Sequence, residues 1–505
     1  YVRDDETGEV WSPTPEPAGA PARYLVRHTA GETRFEHEAH GLTQQLSVFV
    51  SPGDPVKLSL LRIHNQGSRR RQLSLFAVVE WVLGGSREYS RVGICSRWDA
   101  TLQASLAHHP LSAFPNAHAF FTSSHPIHSW SQDREEFFGV DGSRALPRAL
   151  GRSELSRNEQ PGLDPCAALQ VRLSLEPGEH AELAFALGRA DSLDEALRLA
   201  AQYRRPGAAE ASLQQARRSW DDILDTVQIE TPDPALDALA NRWLLYQTLC
   251  GRLWARTGFY QSSGAFGFRD QLQDSLALLH ARPDLVREHV LRCARRQFEE
   301  GDVQHWWHDE TGEGIRTRCS DDMLWLPYAV AEYVRATGDR ALLDEQVPFL
   351  SARPLARGEE DSFGSPAVSA SHASVYEHCT RALDVGTTRG QNGLPTLRGG
   401  DWNDGMNRVG HEGRGESIWL AWFLARTLLD FAEIARERGD TERAEHCQRE
   451  VTRLGAAVER HGWDGEWYLR AFFDDGSPLG SARRSECQID AIAQSWAVIA
   501  GIGDP

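Results

Sequence analysis

The sequence predicts an antiparallel β-sandwich over residues 1–190, a helical linker over 191–230 and an all-α domain over 231–505. Three observations carry this reading. Before residue 190, short runs alternate apolar and polar positions at period two, which buries one face of a strand. Near residue 190 the apolar spacing lengthens to that of an amphipathic helix, about 3.6 residues. Further on, two long apolar segments end at Gly338-Asp339 and Gly439-Asp440, where glycine stops one helix and aspartate caps the next.

In chain order, Leu73, Leu75, Ala77, Val79 and Trp81 share one face of a strand. The run Val56 to Ile63 precedes it, and Asn65-Gln-Gly-Ser68 between them predicts a hairpin. The aromatic, His-rich stretch His118 to His128 is expected to form long loops. Leu169, Val171, Leu173 and Leu175 alternate, and Glu176-Pro-Gly-Glu179 turns the chain into Ala181, Leu183, Phe185 and Leu187. Short alternating runs with turn punctuation point to a sandwich. Ser192 and Glu195 form a capping box ahead of Leu193, Ala196, Leu197 and Ala200. Leu213, Ala216, Trp220 and Leu224 stripe a second helix. The longest helical segments, Leu324 to Ala336 and Glu416 to Arg438, suggest repeated helical hairpins.

The chain has 505 residues, too many for one ordinary domain. Its 72 acidic against 54 basic residues give a net charge of −18, which excludes counterion-driven nucleic-acid binding. Eight cysteines lie singly, with no zinc spacing, so neither a metal site nor a disulfide framework is expected, and a reducing compartment fits. No run of 18 apolar residues marks a membrane span. Tyr1 stands where a Met would open a gene product, so a fragment of a longer chain is expected.

Chemistry concentrates at Gly399-Gly400-Asp401-Trp402-Asn403-Asp404-Gly405-Met406-Asn407. Flanking glycines free the backbone and disfavour regular structure. The indole offers a flat face to a sugar ring, the Asn and Asp side chains bond hydroxyls, and one carboxyl can serve as a general acid. An Asx-rich turn around a packed Trp is the alternative.

With its neighbours this segment resembles the catalytic loop of glycoside hydrolase family 94, the inverting glycoside phosphorylases once filed as glycosyltransferase family 36. The resemblance runs the length of the chain. Residues 1–15 look like the opening of the β-sandwich in the family's cyclic β-1,2-glucan synthase and 1,2-β-oligoglucan phosphorylase branch. The segment Phe259 to Asp274 is similar to one lining the sugar subsite, and His305-Trp-Trp-His308 with Arg316 to Pro327 to another barrel segment. It implies that the helical domain is an (α/α)6 barrel, of the six-hairpin glycosidase type, with active-site loops at one end. It also implies that the final barrel helices, a C-terminal β-domain and the phosphate-binding His fall beyond Pro505, so that this polypeptide alone is expected to be inactive.

Phosphate is already nucleophilic, so phosphorolysis needs one general acid and no base. An inverting hydrolase needs both, ~6.5–9.5 Å apart. Matched to the family's loop, Asp404 takes the acid position and Trp402 a sugar-facing one, with Asn403 beside them. Asp401 is either substrate-binding or, as an Asx cap, a brace of the loop. Arg269 and Asp270 match the segment that binds the nonreducing-end glucosyl unit, although Asp270 also suits a helix first turn. His305, Trp306, Arg318 and Asp321 are expected to line the site, the last two also reading as an i,i+3 ion pair. Trp467, Arg470 and Asp490 belong to family-like segments of unassigned role. Where several members carry a phosphate-holding Arg, this chain has Gln261-Ser262-Ser263-Gly264.

The expected function is therefore reversible, inverting phosphorolysis of a β-linked glucan, β-1,2 by branch, with inorganic phosphate as co-substrate and no cofactor. Expected partners are the glucan oligosaccharide, phosphate and glucose 1-phosphate, with a homodimer or a larger membrane-anchored synthase as assembly. The implied location is the cytoplasm or the cytoplasmic face of the inner membrane. Two alternatives stay open: a noncatalytic glucan-holding module of a synthase, and an inverting hydrolase with Glu412 or Glu416 as base.

Overall fold

The computed structural model describes residues 1–159, 164–256 and 263–503. It forms two compact units, Tyr1–Ile223 and Leu224–Pro505.

Among the described residues, the first unit holds two antiparallel sheets. One runs Ser129–Asp133, Pro165–Leu175, Arg71–Glu80, Val2–Asp4, Val10–Trp11. The other runs Tyr24–Thr29, Glu32–Ala39, Leu42–Val50, Val56–Asn65, His180–Ala190, His118–Ser123, Ala104–His108, Cys95–Asp99. They face each other across a core to which the first contributes Val2, Trp11, Leu73, Leu75 and Leu173, and the second Leu42, Leu61, Ile63 and Leu183. The other side of the larger sheet is covered by helices α1 (Leu193–Tyr203) and α2 (Ala208–Leu224). There Val56, Leu58 and Phe120 meet Ala196, Leu199, Leu213 and Ala216. The Ser192 hydroxyl accepts from the Glu195 amide at 3.3 Å, which starts α1.

Two expectations give way here. Val56–Asn65 and Arg71–Glu80 lie in different sheets, so 66–70 is a crossing between layers and not a hairpin. Buried Asn65 holds that crossing: its Nδ2 donates to the carbonyls of Arg69, Leu175 and Glu176, and its Oδ1 accepts from the Gly67 amide. The turn at 176–179 also passes from one sheet to the other. The stretch His118 to His128 is not a long loop, because His118–Ser123 is an interior strand. The sheet is covered on both faces, so Phe120 and Phe121 are both buried and the period-two signal is erased.

The second unit is mainly helical. Its longer helices are α3 (Phe268–Leu276), α4 (Pro283–Ala294), α5 (Trp325–Thr337), α6 (Val375–Gly386), α7 (Ile418–Glu437), α8 (Thr441–His461) and α9 (Ala491–Ala500). Helix α7 is apolar over most of its circumference, as befits a helix packed against α5, α8 and α9. Gly439, at φ +79°, ends it, and Asp440 accepts from the Arg443 amide at 3.1 Å to begin α8. Gly338 ends α5 in the same left-handed conformation, but no long helix begins directly after it, contrary to expectation. A short 3-10 turn leads into strand Gln346–Ser351, paired with Ala367–Ser374, before α6 begins. A four-stranded sheet, in the order Phe266–Gly267, Gln304–Trp307, Gly314–Thr317, Asp361–Gly364, lies beside α3. No helix among the described residues is long and apolar enough to cross a membrane.

Candidate active site

The Gly399–Asn407 segment is a loop that ends in a 3-10 turn, Asp404–Met406. Gly400 takes φ +130°, which a side chain would strain, and its carbonyl accepts from both the amide and the hydroxyl of Ser320 at 2.9 Å. Asn403 caps the turn, its Oδ1 accepting from the Gly405 amide at 3.0 Å. The loop is anchored from behind by Asp401, which is fully buried. Its carboxylate takes a two-pronged ion pair from Arg470, at 2.7 and 2.5 Å, and a bond from the Ser417 hydroxyl at 2.7 Å.

On the open side, the Asp404 side chain is 62% exposed. One oxygen takes a short hydrogen bond from Arg269, and the other lies 3.9 Å from His305 Nε2. Arg269 stands in the first turn of α3 and is buried. Its Nη1 donates to Asp321 Oδ1 at 2.8 Å and to the Asp401 carbonyl at 2.7 Å, so the guanidinium ties helix, loop and acid together. His305 Nδ1 is 2.7 Å from Asp322 Oδ2. Burial disfavours its charge, but the Asp322 carboxylate outweighs this and pushes the imidazole up to about 12. Burial alone would raise buried Asp322 too, yet charged His305 holds it below the usual carboxylate range. Its neighbour Asp321 is pushed up by burial, against the pull of Arg269. Trp402 is 46% exposed, with its indole N–H donating to Gln273 Oε1 at 3.1 Å.

Of the sequence-predicted residues, the structure brings together Asp404, Arg269, His305 and Trp402. Asp270 lies in the first turn of α3, where a Cβ on Gly267 would meet its carboxylate at 2.2 Å. Trp306 packs at 5.9 Å from Phe363. Other residues are engaged by protein partners. Asp401 and Arg470 consume each other's polar atoms in the interior. Asp321 is buried between Arg269 and the Trp325 indole N–H. Asp490 caps α9 through the Ile492 amide, and the Trp467 indole N–H donates to the carbonyls of Gly480 and Gln488. Arg318 makes no ion pair with Asp321; it donates to the carbonyls of Leu355, Ala356 and Glu359 and holds that loop. Gln261 and Ser262 lie outside the described residues.

Sequence reasoning passed over Asp322, Cys319 and Gln273. Gln273, four residues after Arg269 on one helix, falls on the same face. The thiol of Cys319 is 3.8 Å from Asp404 Oδ1. His305, Cys319 and Asp322 bring possible ligand atoms within 4.8 Å of one another, and Arg269 lies 3.7 Å from Asp322. Glu416 is buried, accepting from the amides of Asn392 and Leu394, and Glu412 pairs with Arg414.

A β-sandwich joined to a helical domain, with an exposed carboxyl flanked by an indole and a guanidinium, defines an enzyme of the glycoside-processing class. Residues 219–505 match the Glycosyl hydrolase 94 superfamily catalytic domain and residues 1–206 the Glycosyl hydrolase 94 supersandwich domain. The chain belongs to the glycosyl hydrolase 94 family. It is 43% identical, over all its length, to the cyclic β-(1,2)-glucan synthase NdvB of Rhizobium meliloti (strain 1021), covering 18% of that protein. It is 30% identical over 99% of its length to a 3-O-β-D-glucopyranosyl-β-D-glucuronide phosphorylase of Paenibacillus borealis, covering 64% of it. The chain thus spans less than two thirds of either relative. A bacterial glucoamylase complexed with acarbose shares the fold at TM-score 0.54 and 11% identity, over 89% of this chain and 61% of that one. The helical unit has the (α/α)6-barrel fold of such enzymes.

Proposed function

We propose that the protein carries out inverting phosphorolysis of a β-1,2-linked glucan, with Asp404 as the general acid. One observation carries this reading: Asp404 is exposed in a cluster whose other carboxylates, Asp321, Asp322 and Asp401, are buried and paired. Trp402 and Asp270 would hold the glucosyl unit while Asp404 protonates the departing glycosidic oxygen. Inorganic phosphate attacks the opposite face of the anomeric carbon, forming the C–O bond as the glycosidic bond breaks. Arg269, bonded to the acid in this structure, would hold its carboxyl on the leaving-group side. Similarity to the glucan synthase supports the β-1,2 linkage, and similarity to the Paenibacillus relative supports the phosphorylase chemistry. The eight unpaired thiols favour a cytoplasmic setting. With β-1,2-glucooligosaccharide and phosphate, the full-length protein should release α-glucose 1-phosphate, read by proton NMR. Free glucose at a comparable rate without phosphate would overturn the proposal in favour of a hydrolase.

A further inference from the structure

Resting on that reading, we propose that Trp306, Ile315 and Phe363 form a stacking platform for the leaving-group side of the glucan, beyond the sugar next to the scissile bond. The three side chains stand in register across the four-stranded sheet, Trp306 opposite Ile315 and Ile315 opposite Phe363. Two strand steps of about 4.8 Å separate the backbones of Trp306 and Phe363, and their rings lean together across Ile315 with planes 44° apart, a shallow apolar saddle. Phe363 is 61% exposed on the edge strand, and its ring lies 5.9 Å from that of Trp306. An edge strand is ordinarily blunted with charge, so an open aromatic there calls for a partner. One pair further along the same face, Thr317 stands opposite Asp361, supplying a hydroxyl and a carboxylate to sugar hydroxyls.

A β-bulge makes the row continuous with the acid. Register slips between Gln304 and Trp306, so His305 is the extra residue. Gln304 and Trp307 both turn toward Arg296, at 3.5 Å and with the guanidinium 5.3 Å from the indole centroid. His305 and Trp306 therefore share the other side, where His305 approaches Asp404. The sheet also gives the platform a direction. Strand Phe266–Gly267, which leads into Arg269, forms one edge, and the strand of Phe363 forms the other. A glucosyl unit held beside Arg269 and Asp270 places the departing chain over Trp306 toward Phe363.

The test compares kcat/KM of the full-length protein on β-1,2-linked pentasaccharide and disaccharide. Phe363→Ala should lower the pentasaccharide-to-disaccharide ratio by about three- to tenfold, the worth of one aromatic contact, and Phe363→Trp should restore it. An unchanged ratio in the alanine variant overturns the platform while leaving the phosphorylase reading intact. Should the wild type bind glucan without turning it over, the phosphorylase reading alone fails. Calorimetry with the pentasaccharide then decides the platform: a three- to tenfold weaker Phe363→Ala supports it, and equal affinity or no binding by the wild type overturns it.

Discussion

Asp401 and Arg470, 69 residues apart, meet in a buried, two-pronged ion pair that fixes the back of the loop carrying Asp404. Removing one charge strands the other in the interior. Asp401→Asn should therefore destabilise the helical unit by about 3–5 kcal/mol and depress turnover by loosening the loop. Arg470→Lys should not substitute, because an ammonium cannot supply the two parallel donors. Urea unfolding checks the first claim, and a loss below about 1 kcal/mol would remove the anchor role.

Asp404→Asn keeps size and hydrogen bonding but has no proton to transfer. Phosphorolysis should fall by roughly 10²–10⁴ with KM nearly unchanged. Trp402→Ala leaves the acid in place and removes a stacking face, so it should raise KM by roughly two- to tenfold and spare kcat. Steady-state kinetics on full-length variants separates the two, and wild-type turnover in the Asn variant would eliminate Asp404 as the acid.

Asn65 joins the two sheets of the sandwich through three buried or half-buried carbonyls. Replacing it with Ala orphans those acceptors, at a cost of about 1–3 kcal/mol for each one left dry. A lower thermal midpoint for the isolated residue 1–223 unit is the expected result. An unchanged midpoint would mean that water replaces the amide.

The parts of the fold legible in the sequence were those where one periodicity dominates. Ser192, Gly338, Gly439 and Asp440 mark helix ends because caps act locally, within a turn of the chain. The layer crossing at 66–70 was hidden because Gly and Asn signal a turn without specifying which strand the chain then joins. Strand His118–Ser123 was hidden because both its faces are buried. At the site, the glycine-flanked loop pointed to a carboxyl beside an indole, and only the family resemblance singled out Asp404 over Asp401. Its anchoring could not be read, since Asp401–Arg470 and Arg269–Asp321 are long-range pairs and an exposed acid looks the same in sequence as a buried one.

Buried His289 and His378 should make the helical unit acid-sensitive. Burial lowers His289 to about 3, helped by Arg292, and His378 to about 4, against its bond to the Val347 carbonyl. In the unfolded chain both titrate near 6.5. Their folded values lie below this, so the stability they support is present above about pH 6.5 and is lost as pH falls toward 4 and then 3. The slope should reach at most about 1.4 kcal/mol per pH unit for each histidine. His305 acts with the opposite sign: its folded value of about 12 gives stability present below pH 6.5 and lost as pH rises from there to about 12. Between pH 6.5 and 5 its contribution is flat. Asp321, raised to about 7 by burial, gains stability as pH falls and offsets about one histidine, so the two buried histidines together still set a net fall. Urea midpoints at pH 7, 6 and 5 should fall in wild type and fall less steeply in His378→Gln, which cannot titrate. Identical slopes in the two proteins would show that His378 takes up its proton without unfolding.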